Sequence, residues 1–208
     1  MYGVCALPET WNMTDCTLSE EEIRNLDRDL RILIATNGTL TRILNVVANE
    51  EIVVQIVNQH IRRAVPKMVE LGQSAESRVL QRNILLKGRN SGNVFVAAES
   101  LVAIDLLPAE IVARLTRTDH PIGEVMAASY IETFKESAKV WVGASPRWLA
   151  LDGYQHSRRR TVARRYRILS GGQPIMLITE YFLRTVFQDV PHEEADCRQF
   201  SNVITAAR

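Results

Sequence analysis

The stretch from Arg164 to Leu183, RRYRILSGGQPIMLITEYFL, constrains the fold of this chain more than any other. A Gly-Gly pair between two runs of strand character reads as a tight hairpin turn. The second run, Ile175-Met176-Leu177-Ile178 and onward, carries a single carboxylate, Glu180, between Thr179 and Tyr181. A lone Glu in such a run is costly to bury unless a partner or a substrate compensates its charge. The facing run supplies an excess of arginines. One acid set against several arginines suits the recognition and elimination chemistry of a small dicarboxylate.

Other segments extend this hairpin into a sheet. Ile52, Val53, Val54, Ile56 and Val57 form a β-branched run. Arg78 to Lys87 (RVLQRNILLK) is a strand with Leu80, Arg82, Ile84 and Leu86 on one face. Turn residues Gly88 to Asn93 then return Val94 to Ile104 as its antiparallel partner. The stretch Ala64 to Ser77, with Pro66 and Gly72, reads as a loop or flap.

Helical signals lie on either side of these strands. Ser19-Glu20-Glu21-Glu22 is a capping box. Behind it Ile23, Leu26, Leu30, Leu33 and Ile34 repeat at helical spacing, so a helix is expected from Glu20 to Ala35, ended by Asn37-Gly38 with Gly in the left-handed position. Thr39 then caps a second helix with the stripe Leu40, Ile43, Leu44 and Val47. Pro108 opens a helix carrying Ile111, Val112 and Leu115. After Asp119-His120-Pro121, Ile122 to Met126 begins another, while Ile131 to Val142 fits strand or helix equally. The pattern predicts an α+β fold, a single antiparallel sheet with helices gathered around it. One domain is expected over 19–190, with a loosely ordered segment at 1–18 and a polar tail at 191–208.

Composition narrows the function. A net charge of +1 in 208 residues leaves no overall basic footprint for nucleic acid. No apolar run approaches the ~18 residues of a membrane span, and the N-terminus lacks the pattern of a signal peptide. Three scattered cysteines, Cys5, Cys16 and Cys197, argue against a disulfide framework and for a reducing, cytoplasmic compartment. The four histidines have no ligand spacing, so no metal site is expected. The run Arg158-Arg159-Arg160 with Arg164, Arg165 and Arg167 could be a nucleic-acid strip, but strand alternation sends these side chains to opposite faces. A solvated outer row, with one or two arginines turned inward toward an anionic ligand, fits better.

Two residues stand out for chemistry. Arg82, on an apolar strand face, needs a carboxylate partner or a bound anion because guanidinium cannot neutralise itself. Glu99 and Glu180 are its candidate partners; a bound anion is the alternative. Glu180 itself is either a buried general acid or one half of a structural pair with arginine.

The series GTLTRIL (Gly38 to Leu44), RVLQRNILL (Arg78 to Leu86), VAAES (Val96 to Ser100), HPIGEV (His120 to Val125) and the final hairpin resembles the chorismate pyruvate-lyases. These convert chorismate to 4-hydroxybenzoate and pyruvate without a cofactor. The wording of the motifs is most similar to the branch that supplies 4-hydroxybenzoate for phenolic glycolipids. The resemblance implies a ligand pocket on the sheet, enclosed by helical flaps. Carried over position by position, it implies that Arg82 binds the ligand and that Glu180 is the essential glutamate. On that basis Glu180, kept protonated in a dry pocket, is expected either to donate to the departing enolpyruvyl ether oxygen or to hydrogen-bond the C4 hydroxyl. The same carry-over puts a backbone contact at Pro121-Ile122-Gly123 and a side chain packed on the ring near Leu40. Two positions depart from the ubiquinone-pathway branch. Glu99 stands where an arginine occurs there, and the last strand is one residue longer between Pro174 and Glu180, which reverses faces unless a bulge absorbs it. Effector domains of some bacterial transcription regulators look similar to this fold, so a non-catalytic module binding a small aromatic acid is the rival reading.

Overall fold

Gly171 and Gly172 take φ of +55° and +78°, the backbone that a two-residue hairpin turn of primed type requires and that side chains with a Cβ resist. They join β7 (Arg160–Ser170) to β8 (Gln173–Phe182), as the sequence predicts. The computed structural model describes residues 16–64, 70–151 and 160–183. Expectations for 1–15, for Arg158 and Arg159, and for the tail at 191–208 fall outside the described residues.

The remaining strands are β1 (Cys16–Thr17), β2 (Ile52–Arg63), β3 (Arg78–Gly88), β4 (Val94–Ala103), β5 (Phe134–Lys135) and β6 (Lys139–Ala144). They complete one antiparallel sheet ordered β1-β6-β7-β8-β4-β3-β2, with β5 also paired to β7. The ambiguous stretch Ile131 to Val142 is therefore strand: β5 and β6 lie along the same edge of β7, interrupted between them.

The helices are α1 (Glu20–Arg24), α2 (Arg28–Ala35), α3 (Leu40–Ala48), α4 (Ala109–Arg117), α5 (Ile122–Ala127) and α6 (Arg147–Leu151). The single helix expected from Glu20 to Ala35 is two. Its capping box is present, but Asp27 accepts from the Asp29 amide at 2.8 Å and starts a new helix there. A short acidic side chain that takes a nearby N–H offers the backbone an alternative to continuing the first helix. Nor does Gly38 adopt a left-handed conformation; α2 ends at Thr36 in extended backbone. The reason lies in the sheet. α6 has no clear periodic signal in the sequence.

Strand register sorts the core. One face of β7, β8, β4 and β3 presents four cross-strand rows, and the outer two are apolar: Val162–Phe182–Val96–Leu86 at one end and Ile168–Met176–Val102–Leu80 at the other. Leu30, Leu33, Leu40 and Leu44 of α2 and α3 cover the first. Ile111 and Leu115 of α4, with Ile122, Val125 and Met126 of α5, cover the second. The opposite face packs α6 through Leu149 onto Leu85, Ala97, Trp141 and Tyr181, and Leu71 onto Val79 and Leu101. The predicted α+β architecture, with helices laid over a single sheet, is the observed one.

Candidate active site

Between the two apolar rows run two rows that are not apolar: Arg164–Glu180–Ala98–Ile84 and Tyr166–Ile178–Ser100–Arg82. They form a polar seam under the line where α2–α3 meet α4–α5. Arg82 and Arg164 are 0% exposed and Glu180 is 5% exposed.

Arg82 has neither of the carboxylate partners its sequence context suggested. Its Nη1 donates to the His120 carbonyl at 2.9 Å and its Nη2 to the Thr118 carbonyl at 3.2 Å, while its buried Nε has no partner among the described residues. Burial pushes its proton affinity down, and Asp119 offsets this in part. A guanidinium still keeps its charge. Two carbonyl dipoles solvate that charge without neutralising it, and leaving it unpaired is the expensive state of a buried ion.

Glu180 is paired instead with Arg164, directly across the hairpin. Arg164 Nε donates to Glu180 Oε2, and the Tyr166 hydroxyl donates to Oε1 at 2.9 Å. Both oxygens therefore accept, the partner set of a carboxylate rather than of the protonated acid expected from the sequence. Burial above all, with the Glu180 charge adding to it, pushes the Tyr166 phenol well above its ordinary 10, so it stays a donor.

Arg164 also explains how α2 ends. Its Nη1 donates to the carbonyls of Leu33 at 2.6 Å, Ile34 at 2.7 Å and Thr36 at 3.2 Å. The last carbonyls of a helix need partners, and a cation there also meets the negative end of the helix dipole. No glycine turn is required because the sheet supplies the cap. Lys135, reaching in from β5, donates to the same Thr36 carbonyl at 2.9 Å and sits 3.9 Å above the centroid of the Tyr166 ring. Burial, with the Arg164 charge beside it, lowers its ordinary 10.5 to about 8, against the opposing pull of Glu180.

The other predicted positions lie over the seam. Leu40 is buried at the start of α3 and Ile122 at the start of α5. Gly123 is more than a helix-boundary residue: a Cβ there would sit 3.0 Å from Thr39 Cγ2, so the beginnings of α3 and α5 close on each other across it. The turn before α5 is also the one whose His120 carbonyl holds Arg82. All five predicted site residues thus share one face of the sheet and its helical cover. Arg164, Tyr166 and Lys135 complete the group; alternation along β7 and the hairpin register would have placed Arg164 opposite Glu180, whereas nothing local singles out Lys135.

Both departures from the ubiquinone-pathway branch have a structural outcome. Ile168 pairs Met176 and Leu169 pairs Pro174, so Ile175 is an extra residue absorbed as a bulge, and Glu180 keeps the face of Arg164. Glu99 pairs Asn83 and Thr179 on the other face, where its carboxylate accepts from Gln81 at 2.6 Å. It can neither neutralise Arg82 nor repel an anion through direct contact. Of the arginine run, Arg165 donates to Thr179 and Arg167 clasps Glu136 at 2.6 and 2.7 Å, both on that other side. Among the described residues no cluster of three or more His, Cys, Asp or Glu could hold a metal ion, and no helix is long and apolar enough to cross a membrane.

The fold is similar to that of solved regulatory proteins. The possible transcriptional regulator YydK of Bacillus subtilis matches with a TM-score of 0.51 at 15% identity, over 68% of this chain and 61% of that one. The effector domain of PhnF from Mycobacterium smegmatis matches with a TM-score of 0.51 at 14% identity, over 70% and 88%. At such identities the likeness is one of fold alone. Sequence relatives are much closer. Chorismate pyruvate-lyase of Mycobacterium tuberculosis strain H37Rv is 68% identical over 199 residues, 94% of this chain and all of that protein. The protein of the same name in Mycobacterium leprae is 64% identical over 192 residues, 92% of this chain and 91% of that one. With the profile of the family described as chorismate pyruvate-lyase Rv2949c-like matching residues 34–188 as well, the chain belongs to that family.

Proposed function

We propose that the protein converts chorismate to 4-hydroxybenzoate and pyruvate in the polar seam, within a single domain spanning 19–190. The observation that carries this reading is Arg82, a wholly buried guanidinium that hydrogen-bonds no carboxylate among the described residues, is offset only in part by Asp119, and has an unbonded Nε. It supports a site completed by an anion from outside the chain. The ring carboxylate of chorismate fits that requirement and pairs with Arg82 through charge-assisted hydrogen bonds. Leu40 and Ile122 pack on the ring, and the turn at Ile122-Gly123 offers it backbone.

Glu180 lies two strands away from Arg82, about 10 Å at ordinary strand spacing, and one row along. Side chains reaching in from both positions bracket a ring that carries oxygen at opposite ends. With both oxygens accepting, Glu180 is suited to accept the C4 hydroxyl of the substrate rather than to donate to the departing ether. The reaction breaks the C3–O bond and removes the C4 proton. The leaving enolpyruvate takes up a proton as it becomes pyruvate, so protons balance, and no electrons leave the system. Aromatisation supplies the driving force, and the protein contributes orientation and electrostatic stabilisation. No electron acceptor or other cofactor is needed for this chemistry.

Because Arg82 and Glu180 are covered, entry requires the α2–α3 and α4–α5 arms to part near Thr39 and Gly123. The same reading has the reaction run in the cytoplasm and its product used for phenolic glycolipids and related derivatives; the scattered cysteines and the wording of the motifs support this. Labelled 4-hydroxybenzoate formed by the protein in cells should appear in those lipids. The enzymatic test is to incubate the protein with chorismate and quantify both products. Equimolar 4-hydroxybenzoate and pyruvate, reduced at least a hundredfold in Glu180→Gln, is the expected result. Surviving chorismate together with tight 4-hydroxybenzoate binding would instead mark an effector-type binding module.

A further inference from the structure

Chorismate carries two carboxylates, and Arg82 accounts for one. The seam holds two further cations whose donors are not used up. Arg164 spends Nε on Glu180 and Nη1 on the end of α2, while its buried Nη2 has no hydrogen-bond partner among the described residues. An unpaired donor on a fully buried guanidinium is a costly feature that a ligand would relieve. Lys135 has three ammonium hydrogens and gives one to the Thr36 carbonyl. The Thr36 carbonyl accepts from both Lys135 Nζ and Arg164 Nη1, and both cations flank the Tyr166 ring, at 3.9 and 5.3 Å from its centroid. Two like charges held together around one ring and one carbonyl repel unless an anion joins them. Glu180 offsets one charge, leaving the pair still net positive.

We propose that Lys135 Nζ and Arg164 Nη2 form a second anion clamp, which takes the enolpyruvyl carboxylate of the substrate. This assignment rests on the lyase reading above and extends it to the leaving group. The clamp adjoins Glu180, which that reading sets at the C4 hydroxyl, and the enolpyruvyl ether is on the neighbouring ring carbon. Arg82 holds the far end of the ring. The clamp therefore lies where negative charge grows as the C3–O bond breaks, so it stabilises the departing group as well as binding it. It also gives a basis for selectivity: the product has lost the carboxylate that the clamp recognises, so the clamp favours substrate over 4-hydroxybenzoate.

Arg164 is unsuitable as the test position, because its removal would also strip Glu180 and the end of α2. Lys135 is half-buried on a short edge strand, and its loss should leave the fold intact. Lys135→Met is expected to raise KM for chorismate roughly 10- to 100-fold, the worth of a charge-assisted hydrogen bond, and to leave the Kd of 4-hydroxybenzoate within about threefold. Lys135→Arg should restore most of the affinity for chorismate.

A pH profile separates the clamp from a merely structural role. The charged groups facing Lys135 are Arg164 on β7 and Glu180 on β8, with the neutral Tyr166 beneath it and the Thr36 carbonyl of the α2 end beside it. In wild type, kcat/KM should decline as pH rises through about 8, where the ammonium loses its proton. In Lys135→Arg that decline should be absent. An unchanged KM in Lys135→Met, or equal weakening of chorismate and 4-hydroxybenzoate, would overturn the clamp while leaving the lyase reading standing. A wild-type protein that neither turns over chorismate nor binds 4-hydroxybenzoate would overturn both.

Discussion

Replacing Glu180 by Gln tests the centre of the site through stability before any activity is measured. The carboxylate accepts from two buried donors, Arg164 Nε on one oxygen and the Tyr166 hydroxyl on the other. Glutamine keeps the shape but has one acceptor oxygen and an NH2 group. One donor must then face another donor, and the fully buried Arg164 charge loses its counter-ion. Breaking one side of a buried pair costs about 3–5 kcal/mol. The three carbonyls that still hold Arg164 Nη1 put the expectation at the lower end, about 3 kcal/mol. In a domain of this size each kcal/mol moves Tm by roughly 2–4 °C, so thermal unfolding followed by circular dichroism should show a fall of about 6–12 °C. Adding Tyr166→Phe removes the competing donor and frees the amide oxygen for Arg164. The double variant should therefore be more stable than the sum of its single losses by about 1 kcal/mol or more. A fall in Tm under about 2 °C would refute the buried pairing, and strict additivity would refute the shared acceptor. Turnover of Glu180→Gln belongs well below its lowered Tm, so that lost chemistry is not confused with lost fold.

Three other outcomes follow from the same geometry. Arg82→Met should weaken 4-hydroxybenzoate binding at least a hundredfold by calorimetry yet change Tm little, because relief from burying an unpaired charge offsets two lost hydrogen bonds to carbonyls; unchanged product affinity would remove Arg82 from the site. Gly123→Ala brings a Cβ to 3.0 Å from Thr39 Cγ2, an overpacking cost of about 1–3 kcal/mol that exceeds the gain in helix propensity. It should hold the two helical arms apart and raise KM, and adding Thr39→Ser, which removes Cγ2, should reverse both effects. Lys135 is easier to deprotonate in the folded chain, at about 8, than at its ordinary 10.5, so the unfolded state binds more protons between those values. Wild type should gain stability relative to Lys135→Met as pH rises through that interval, while its affinity for chorismate falls; a Tm difference independent of pH would contradict the placement of the ammonium.

The site is built at the expense of stability. Three cations converge on a seam that otherwise belongs to a sheet–helix core, and one carboxylate partly compensates them. Such an arrangement persists when a ligand makes use of it, and apolar replacements at these positions are the ones expected to stabilise the empty protein.

Local signals in the sequence determined the two-glycine hairpin, the capping box at Ser19, the α3 stripe and the face of β3 that Arg82 occupies. Each depends on near neighbours: a turn that needs positive φ, an N-cap, or alternation along a strand. The motif series also singled out Arg82, Glu180 and the Ile122-Gly123 turn. Which groups those residues meet was decided by register and by contacts between distant segments. Arg164 pairs Glu180 because a bulge at Ile175 absorbs the extra residue and keeps both on one face. Alternation put Glu99 behind the sheet, so its charge, suggestive in the sequence, does not face the site. Helix α2 ends without a glycine because its carbonyls are capped by an arginine 128 to 131 residues later. Lys135 enters from an edge strand to share that cap, and Gly123 lets α3 and α5, separated in the chain by three strands and α4, close on each other. Periodicity says which side of its own element a residue faces; only the assembled sheet, with its register set, determines what waits on that side.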